Sequence, residues 1–443
     1  MSTPPPIPTT AATKPAKHDP FAALRVANYR LYAAGFVCSS TGLQIMSTAL
    51  AWEIWDRTHD AFLLGLAGLA RALPVILLTL PAGTIVDKAD RKRVLAITQF
   101  GFALVALSLA IASASETPLL ATYLLLLLSG CVRSFNAPSR GALLPSLLPE
   151  CGFENAIAWQ SGFFQFAAIA GPLVAGGIIW WTGSTSLCYL VTSVACVIFA
   201  ITALFLKPRP VALRKSAPGI RGMMEGAEFI WKEKTILGAL VLDLLAVLFG
   251  GATALLPIYA DKILHVDAVG LGALRAAPYI GALAMAGWLT MRSGFTRAGS
   301  ALLWSVVGFG ICMIVFGLST SFWLSMVALA VSGALDNISV VVRHVLIQMR
   351  TPDGLRGRTT AVNSVFIECS NEVGSFESGL VAQWLSPVIS ATSGGVGTVL
   401  IAGFVAWMFP ELRKLGRLTE TPQDVVEAEE HAEPHRGLGA EGQ

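Results

Sequence analysis

Twelve apolar runs, each close to the length of about 20 residues that a helix needs to cross a bilayer, set the limits on what this chain can fold into. They fall at residues 31–55, 62–86, 94–115, 118–138, 155–181, 185–206, 236–260, 268–290, 300–319, 322–342, 361–384 and 392–410. None alternates in the manner of a barrel strand, so each is read as a helix. Charged residues make up 13% of the chain, against roughly 25% in soluble domains. The expected fold class is all-α integral membrane, with twelve transmembrane helices. The expected organisation is a tail (1–30), a first six-helix bundle (31–206), a central polar loop (207–235), a second six-helix bundle (236–410) and an acidic tail (411–443).

An even number of spans puts both tails on one side, and the basic residues say which. Of 31 Lys and Arg, 27 fall in the tails or in connections on the side of the tails, including four in 87–93 and seven in 207–234. Only Arg57 and Lys262 lie in connections on the other side. The positive-inside rule then predicts cytoplasmic tails. The first residues, Pro- and Thr-rich with no apolar core before Leu31, do not read as a cleavable signal peptide.

Several function classes drop out. A net charge of +3 with no basic patch argues against nucleic acid as a partner. The seven cysteines lack CxxC spacing, the six histidines form no ligand cluster, and no GxxxxGK[ST] loop occurs, so no metal, cofactor or nucleotide is expected. No nucleophile–base constellation marks an enzyme, and the soluble segments are too short for a sensor.

The two halves repeat. At a shift of 204 residues Gly68 meets Gly272, Arg71 meets Arg275, Pro74 meets Pro278 and Gly83 meets Gly287. Around span four a shift of 203 brings Ser129-Gly130 onto Ser332-Gly333 and Arg140 onto Arg343. Six helices per repeat keep both copies in one orientation, as two parallel bundles related by a pseudo-two-fold axis along the membrane normal. Arg71 and Arg275 are thus equivalent positions on spans two and eight, roughly 15 Å deep at 1.5 Å per residue. Arginine at that depth faces a bundle interior or a wet path, or else pairs with a carboxylate to hold helices together.

The loop GTIVDKADRKR, with Gly83, Asp87, Arg91 and Arg93, resembles the loop signature of the major facilitator superfamily. AGPLVAGG, with Gly171, Pro172, Gly176 and Gly177, resembles a signature of its proton-coupled exporters. The segment from Asp336 to Gly379, FPELRKLGRL and the opening FAALRVANYRLYAAG are similar to the bacterial subgroup that includes the enterobactin exporter. Together the resemblance covers residues 20–418. Asp90 stands where many members have glycine, and Met291 occupies the position in the second copy where the first has Asp87. Glu368 stands where a small residue is expected.

The resemblance implies that spans one, four, seven and ten line a central cavity and that two, five, eight and eleven flank the interface. It also implies that Gly83 allows close helix approach and that Gly171 to Gly177 seal the halves. Candidate residues for the substrate and proton path are Arg71, Asp243, Arg275, Asp336, Asn337, Glu368, Asn371 and Glu372. Gln44 and Glu53 also lie on span one. Glu368, Asn371, Glu372 and Ser375 share one helical face, and Asp336 is placed to anchor Arg343. Arg140 belongs with the conformational motifs. The expected function is proton-coupled export of a small siderophore-like or drug-like molecule by alternating access, through the bacterial inner membrane. Import of a nutrient by proton symport and lysophospholipid transport are the alternatives. A monomer suffices, since both halves lie in one chain, and the lipid bilayer, the small-molecule substrate and protons are its expected partners.

Overall fold

A computed structural model describes residues 19–115, 117–148, 152–209, 220–291, 297–352 and 354–416. Twelve long helices are present among them. The first six are Ala27–Thr58, Ala61–Lys88, Arg91–Ala114, Leu119–Leu143, Phe153–Thr182 and Ser186–Phe205. Span seven begins as Lys234–Gly250, and the rest are Ala268–Thr290, Ala298–Leu318, Phe322–Arg350, Arg356–Trp384 and Pro387–Met408. Ten of the helical segments are long and apolar enough to cross a membrane by composition. The two long helices outside that set are spans one and eleven. They are the most polar: one carries Gln44 and Glu53, the other Glu368, Asn371, Glu372 and Glu377. Both helices are as long as the others, and these polar side chains are what lower their hydropathy.

Several boundaries differ from expectation. Span four continues through Pro138 to Leu143 and span ten to Arg350. Arg140 and Arg343, expected in connections, are therefore helical residues, as is Arg133. Span seven does not run unbroken to 260. It stops at Gly250 and continues as a 3-10 turn, Ala252–Leu255, then Leu256–Ile258 and a π turn, Tyr259–Ile263. Two consecutive glycines are poor helix formers. Here they also let neighbours close in: Gly250 abuts Phe309, and Gly251 meets the backbone of Gly374. The central connection holds a helix of its own, Ile220–Lys232, whose Glu225 pairs with Arg358 of span eleven.

Helix starts follow from sequence. Asp60 accepts hydrogen bonds from the Phe62 and Leu63 N–H groups at the head of span two, and Asp267 does the same for Gly270 at span eight. Just upstream of each cap sits a left-handed histidine, His59 (φ 48°) and His265 (φ 51°). The turn into the second helix of each bundle is thus built twice from the same parts.

Packing repeats as well. Spans one and six, two and four, three and four, three and six, and one and five pack together. Each pairing recurs in the second half as seven with twelve, eight with ten, nine with ten, nine with twelve, and seven with eleven. Individual contacts repeat too. Thr192 donates to Gly42 O, and Thr398 donates to Ala246 O. Gly130 lies against the Arg71 carbonyl and the Pro74 ring, as Gly333 lies against the Pro278 backbone.

The halves meet along two seams, span two on eleven and span five on eight. Small residues make both close. Gly65 lies on Gly379 and Gly68 on Ser375; across the molecule Gly272 lies on Pro172 and Gly176 on Ala268. Gly68 and Gly272 are equivalent by the 204-residue shift, so the two seams are copies of one design. Near the face away from the tails, the Trp55 indole N–H donates to Asp261 (3.0 Å) and the Ala61 N–H to Gln383 (3.2 Å).

A Cβ at Gly333 has to displace the Pro278 backbone, whereas one at Gly83 meets nothing within 4 Å. Gly333→Val is expected to lower the unfolding temperature in detergent, at a cost of about 1–3 kcal/mol. Gly83→Ala is expected to leave it at or above wild type, and thermal unfolding of both checks this.

Candidate functional site

Halfway along the two–eleven seam, charge crosses between the halves. Arg71 Nη2 lies 3.4 Å from Glu372 Oε2, and its Nη1 lies 3.4 Å from Ser47 Oγ. The approach depends on Gly68, whose missing Cβ leaves room for the Glu372 carboxylate. On span four, Arg133 Nη2 is 2.7 Å from Glu368 Oε2, and its Nη1 is 3.8 Å from Glu372 Oε1. Glu368 and Glu372 are one turn apart, so span eleven offers two carboxylates to two guanidiniums of the other half. The side chains of Arg71 and Glu372 are 25% and 14% exposed, while Arg133 and Glu368 are each 43% exposed. The first pair is therefore the more buried of the two.

Arg275 is the third guanidinium. The groups whose charges act on it are Arg71, the Tyr279 hydroxyl and Glu372. It makes no ion pair among the described residues. Three guanidiniums against two carboxylates leave this centre one positive charge in excess if all are ionised. Beside it a cavity of about 130 Å³ is lined by spans two, four and eleven. Arg71, Arg133, Glu368 and Glu372 form its polar wall, and Val75, Ile76, Pro138 and Val365 are part of its apolar wall.

Other expected residues lie elsewhere. Asp243 pairs with Arg343, and both are nearly fully buried between spans seven and ten. The expectation that Asp336 anchors Arg343 is corrected: Asp243 does so, because it faces Arg343 directly across the helix pair. Asp336 makes no ion pair among the described residues, though it feels the charges of Asp243 and Arg343. Asn337 has a buried Oδ1 without a hydrogen-bond partner. Asn371 is exposed and donates to Ile367 O of its own helix, so it does not join Glu368 and Glu372. Glu53 is consumed structurally, accepting from Thr185 (2.8 Å) and Tyr189 (2.6 Å) and pairing with Arg57 (3.3 Å).

The loop after span two holds its own half together. Arg91 donates to Ala142 O (3.0 Å) at the end of span four, and Arg93 pairs with Asp90 (3.3 Å). Gly83 brings no neighbour close, contrary to expectation: a Cβ there meets nothing within 4 Å, and the packed face of span two at that level is carried by Ala82 and Val86. The side chain of Asp87 lies outside the described residues. In span five, Gly171 abuts Gln44 of span one, while Pro172 and Gly176 meet span eight; a Cβ added at Gly177 would meet nothing within 4 Å. Arg140 stacks over the Phe36 ring at 5.3 Å.

Arg133 is a site residue that the sequence pattern does not single out, because it lies near the inner end of span four and is counted there with the basic residues of the following connection. A signal exists all the same: the 203-residue shift sets Arg133 opposite Asp336, itself a candidate.

Residues 18–438 match the family described as transmembrane secretion effector. The chain belongs to this family. It is a multi-pass membrane transporter of the major facilitator type. It is similar to the enterobactin exporter EntS of Shigella boydii serotype 4, at 25% identity over 89% of this chain and 94% of that protein. The EntS of Citrobacter koseri is also 25% identical, over 88% of this chain and 94% of its own. Among solved structures, an inward-facing, occupied bacterial homologue of the human lysosomal transporter Spinster matches with a TM-score of 0.70 at 12% identity. That match covers 90% of this chain and 99% of that one. The POT family transporter PepTSo matches with a TM-score of 0.68 at 10% identity, covering 87% and 98%.

The two classes of ion pair predict different costs. Arg343→Gln strands a buried carboxylate and is expected to cost about 3–5 kcal/mol. Arg133→Gln breaks a half-exposed pair and is expected to cost about 1 kcal/mol or less. Denaturant unfolding of the two variants in parallel distinguishes them.

Proposed function

We propose that this transporter is a proton-coupled exporter of a small organic molecule, siderophore-like or drug-like, working by alternating access. The observation that carries the reading is the Arg71–Glu372 bridge across the two–eleven seam, beside a cavity lined by both halves. A charge pair that spans the seam must part when the halves separate there, and a proton on Glu372 removes the attraction that resists parting. The surplus guanidinium charge favours a substrate with acidic or phenolic oxygens, and the apolar wall favours an amphipathic body. Similarity to enterobactin exporters supports export and makes catecholate siderophores the first compounds to try.

Orientation follows from the basic residues on the side of the tails, read as cytoplasmic, in the inner membrane of a bacterium. Contacts at Trp55–Asp261 and Ala61–Gln383 then close the outer side. The cavity, on the tail side of Arg71, takes substrate from within.

The test is reconstitution into vesicles with an internal pH indicator and a panel led by enterobactin, then other siderophores, dyes and lysophospholipids. A compound that moves protons in wild type, and fails to in Glu372→Gln while that variant stays folded, is the expected result. Accumulation of the compound with the proton gradient, in vesicles of known orientation, would instead establish symport. Silence across the panel would remove proton coupling.

A further inference from the structure

The buried Asp243–Arg343 pair has no part in the central bridge, yet its surroundings are unlike a simple structural pair. Asp336, Ser339 and Arg343 lie at i, i+3 and i+7, one stripe of span ten. The Ser339 hydroxyl is buried and has no hydrogen-bond partner, and neither does the Arg343 Nε. Ser339 and Arg343 are 2% and 1% exposed. Unpaired donors this deep are costly and call for a partner such as water or a bound species. The charges are also unequal. Asp243 and Asp336 both act on Arg343, and one guanidinium neutralises one carboxylate. A second ionised carboxylate held there is unfavourable, and a proton relieves it.

The repeat supplies a control built into the molecule. The hydrogen bonds Thr192 to Gly42 and Thr398 to Ala246 fix the register of spans one and seven at 204. That register sets Ser39 opposite Asp243. The 203-residue register sets Arg133 opposite Asp336 and Arg140 opposite Arg343. The first bundle packs with serine in place of Asp243, its hydroxyl donating to Gln99 at 2.6 Å. So the bundle does not need an acid there to fold, and the two carboxylates are particular to the second half.

We propose that Asp336 is a second proton-binding site, holding a proton while Arg343 is engaged by Asp243 and releasing it to water along the Ser339 stripe. The groups whose charges couple to it are Asp243 from span seven, Tyr279 from span eight and Arg343 from its own helix. Span nine carries no acidic or basic side chain, and the span-eleven carboxylates Glu368 and Glu372 are turned toward Arg133 and Arg71. Tyr279 also faces Arg275 and Gln44, which connects this site to the central charges. Its use in turnover rests on the proton-coupled reading above; the protonation itself does not.

Infrared difference spectra of the purified protein in lipid, without substrate, test it. The protonated-carboxyl stretch is followed from about pH 5 to about pH 9. Wild type and Glu372→Gln are expected to share a titrating component that Asp336→Asn lacks. In Asp336→Glu, which keeps the carboxyl, that component moves to a new frequency rather than vanishing. If the spectra of both Asp336 variants match wild type, the proposal is overturned. It is also overturned if sodium at fixed pH abolishes the component, since the site would then hold a metal cation. Failure of the Glu372→Gln transport test leaves these outcomes unchanged.

Discussion

Charge in a hydrocarbon slab has to be neutralised or wetted, and at the middle of this molecule three arginines and two glutamates gather where two bundles meet. A lone arginine on the lipid side of a helix would be expelled or would drag water with it. Placed beside the seam, Arg71 and Arg133 pair, among the described residues, with carboxylates of the opposite bundle. At this centre the arginines of one half are paired by the glutamates of the other, so the conformational state of the protein and the state of these charges are tied together. The glycine contacts on either side of the bridge follow from this: Gly65, Gly68 and Gly379 bring the helices near enough for side chains as short as Glu372 to reach across.

The duplication explains why the fold is so regular and why its chemistry is not. The main pairings of helices within the first bundle have their counterparts in the second, down to a threonine hydroxyl on a carbonyl one helix away. Those contacts are satisfied by shape and backbone, which both copies inherit. The ionisable positions have drifted apart. Arg133 and Arg140 on span four correspond to Asp336 and Arg343 on span ten, so one helix is doubly basic and its copy carries both signs. Span eleven has the seam carboxylates Glu368 and Glu372. The 203-residue shift sets Gln165 and Ile169 of span five opposite them, and neither carries a charge.

Much of this is legible in the sequence because hydropathy and repetition act over long stretches. Apolar length marks the spans, and a constant shift marks two parallel bundles, Arg71 with Arg275, and the pairing of Gly130 with Gly333. What escapes depends on helix ends and on partners. Hydropathy falls where a span turns polar, so it cuts span four at 138 and leaves Arg140 outside, although the helix carries on through Pro138 to Leu143. The same blindness puts Arg343 in a connection when it is among the most buried side chains of the chain. Gly250-Gly251 sits in an apolar run that reads as one helix, and only the neighbours Phe309 and Gly374 reveal the break. Partner choice is harder still: Asp336 and Asp243 are both within reach of Arg343 by sequence, and only the packing of span seven on span ten selects Asp243.

The asymmetry between the seams bears on how such a molecule can cycle. Along five–eight the halves touch through Gly176, Pro172 and Gly272, contacts that are uncharged and can part and re-form at little electrostatic cost. Along two–eleven the same small-residue contact is reinforced by Arg71–Glu372. Parting there leaves a carboxylate and a guanidinium facing a narrow apolar wall, and Arg275, already near Arg71, adds repulsion once Glu372 is withdrawn. On the proposed reading, the charge changes before the helices move, by a proton on Glu372 or by an anionic group that takes its place beside the arginines. Either event acts on one seam alone, so the two seams, alike in shape, need not open together.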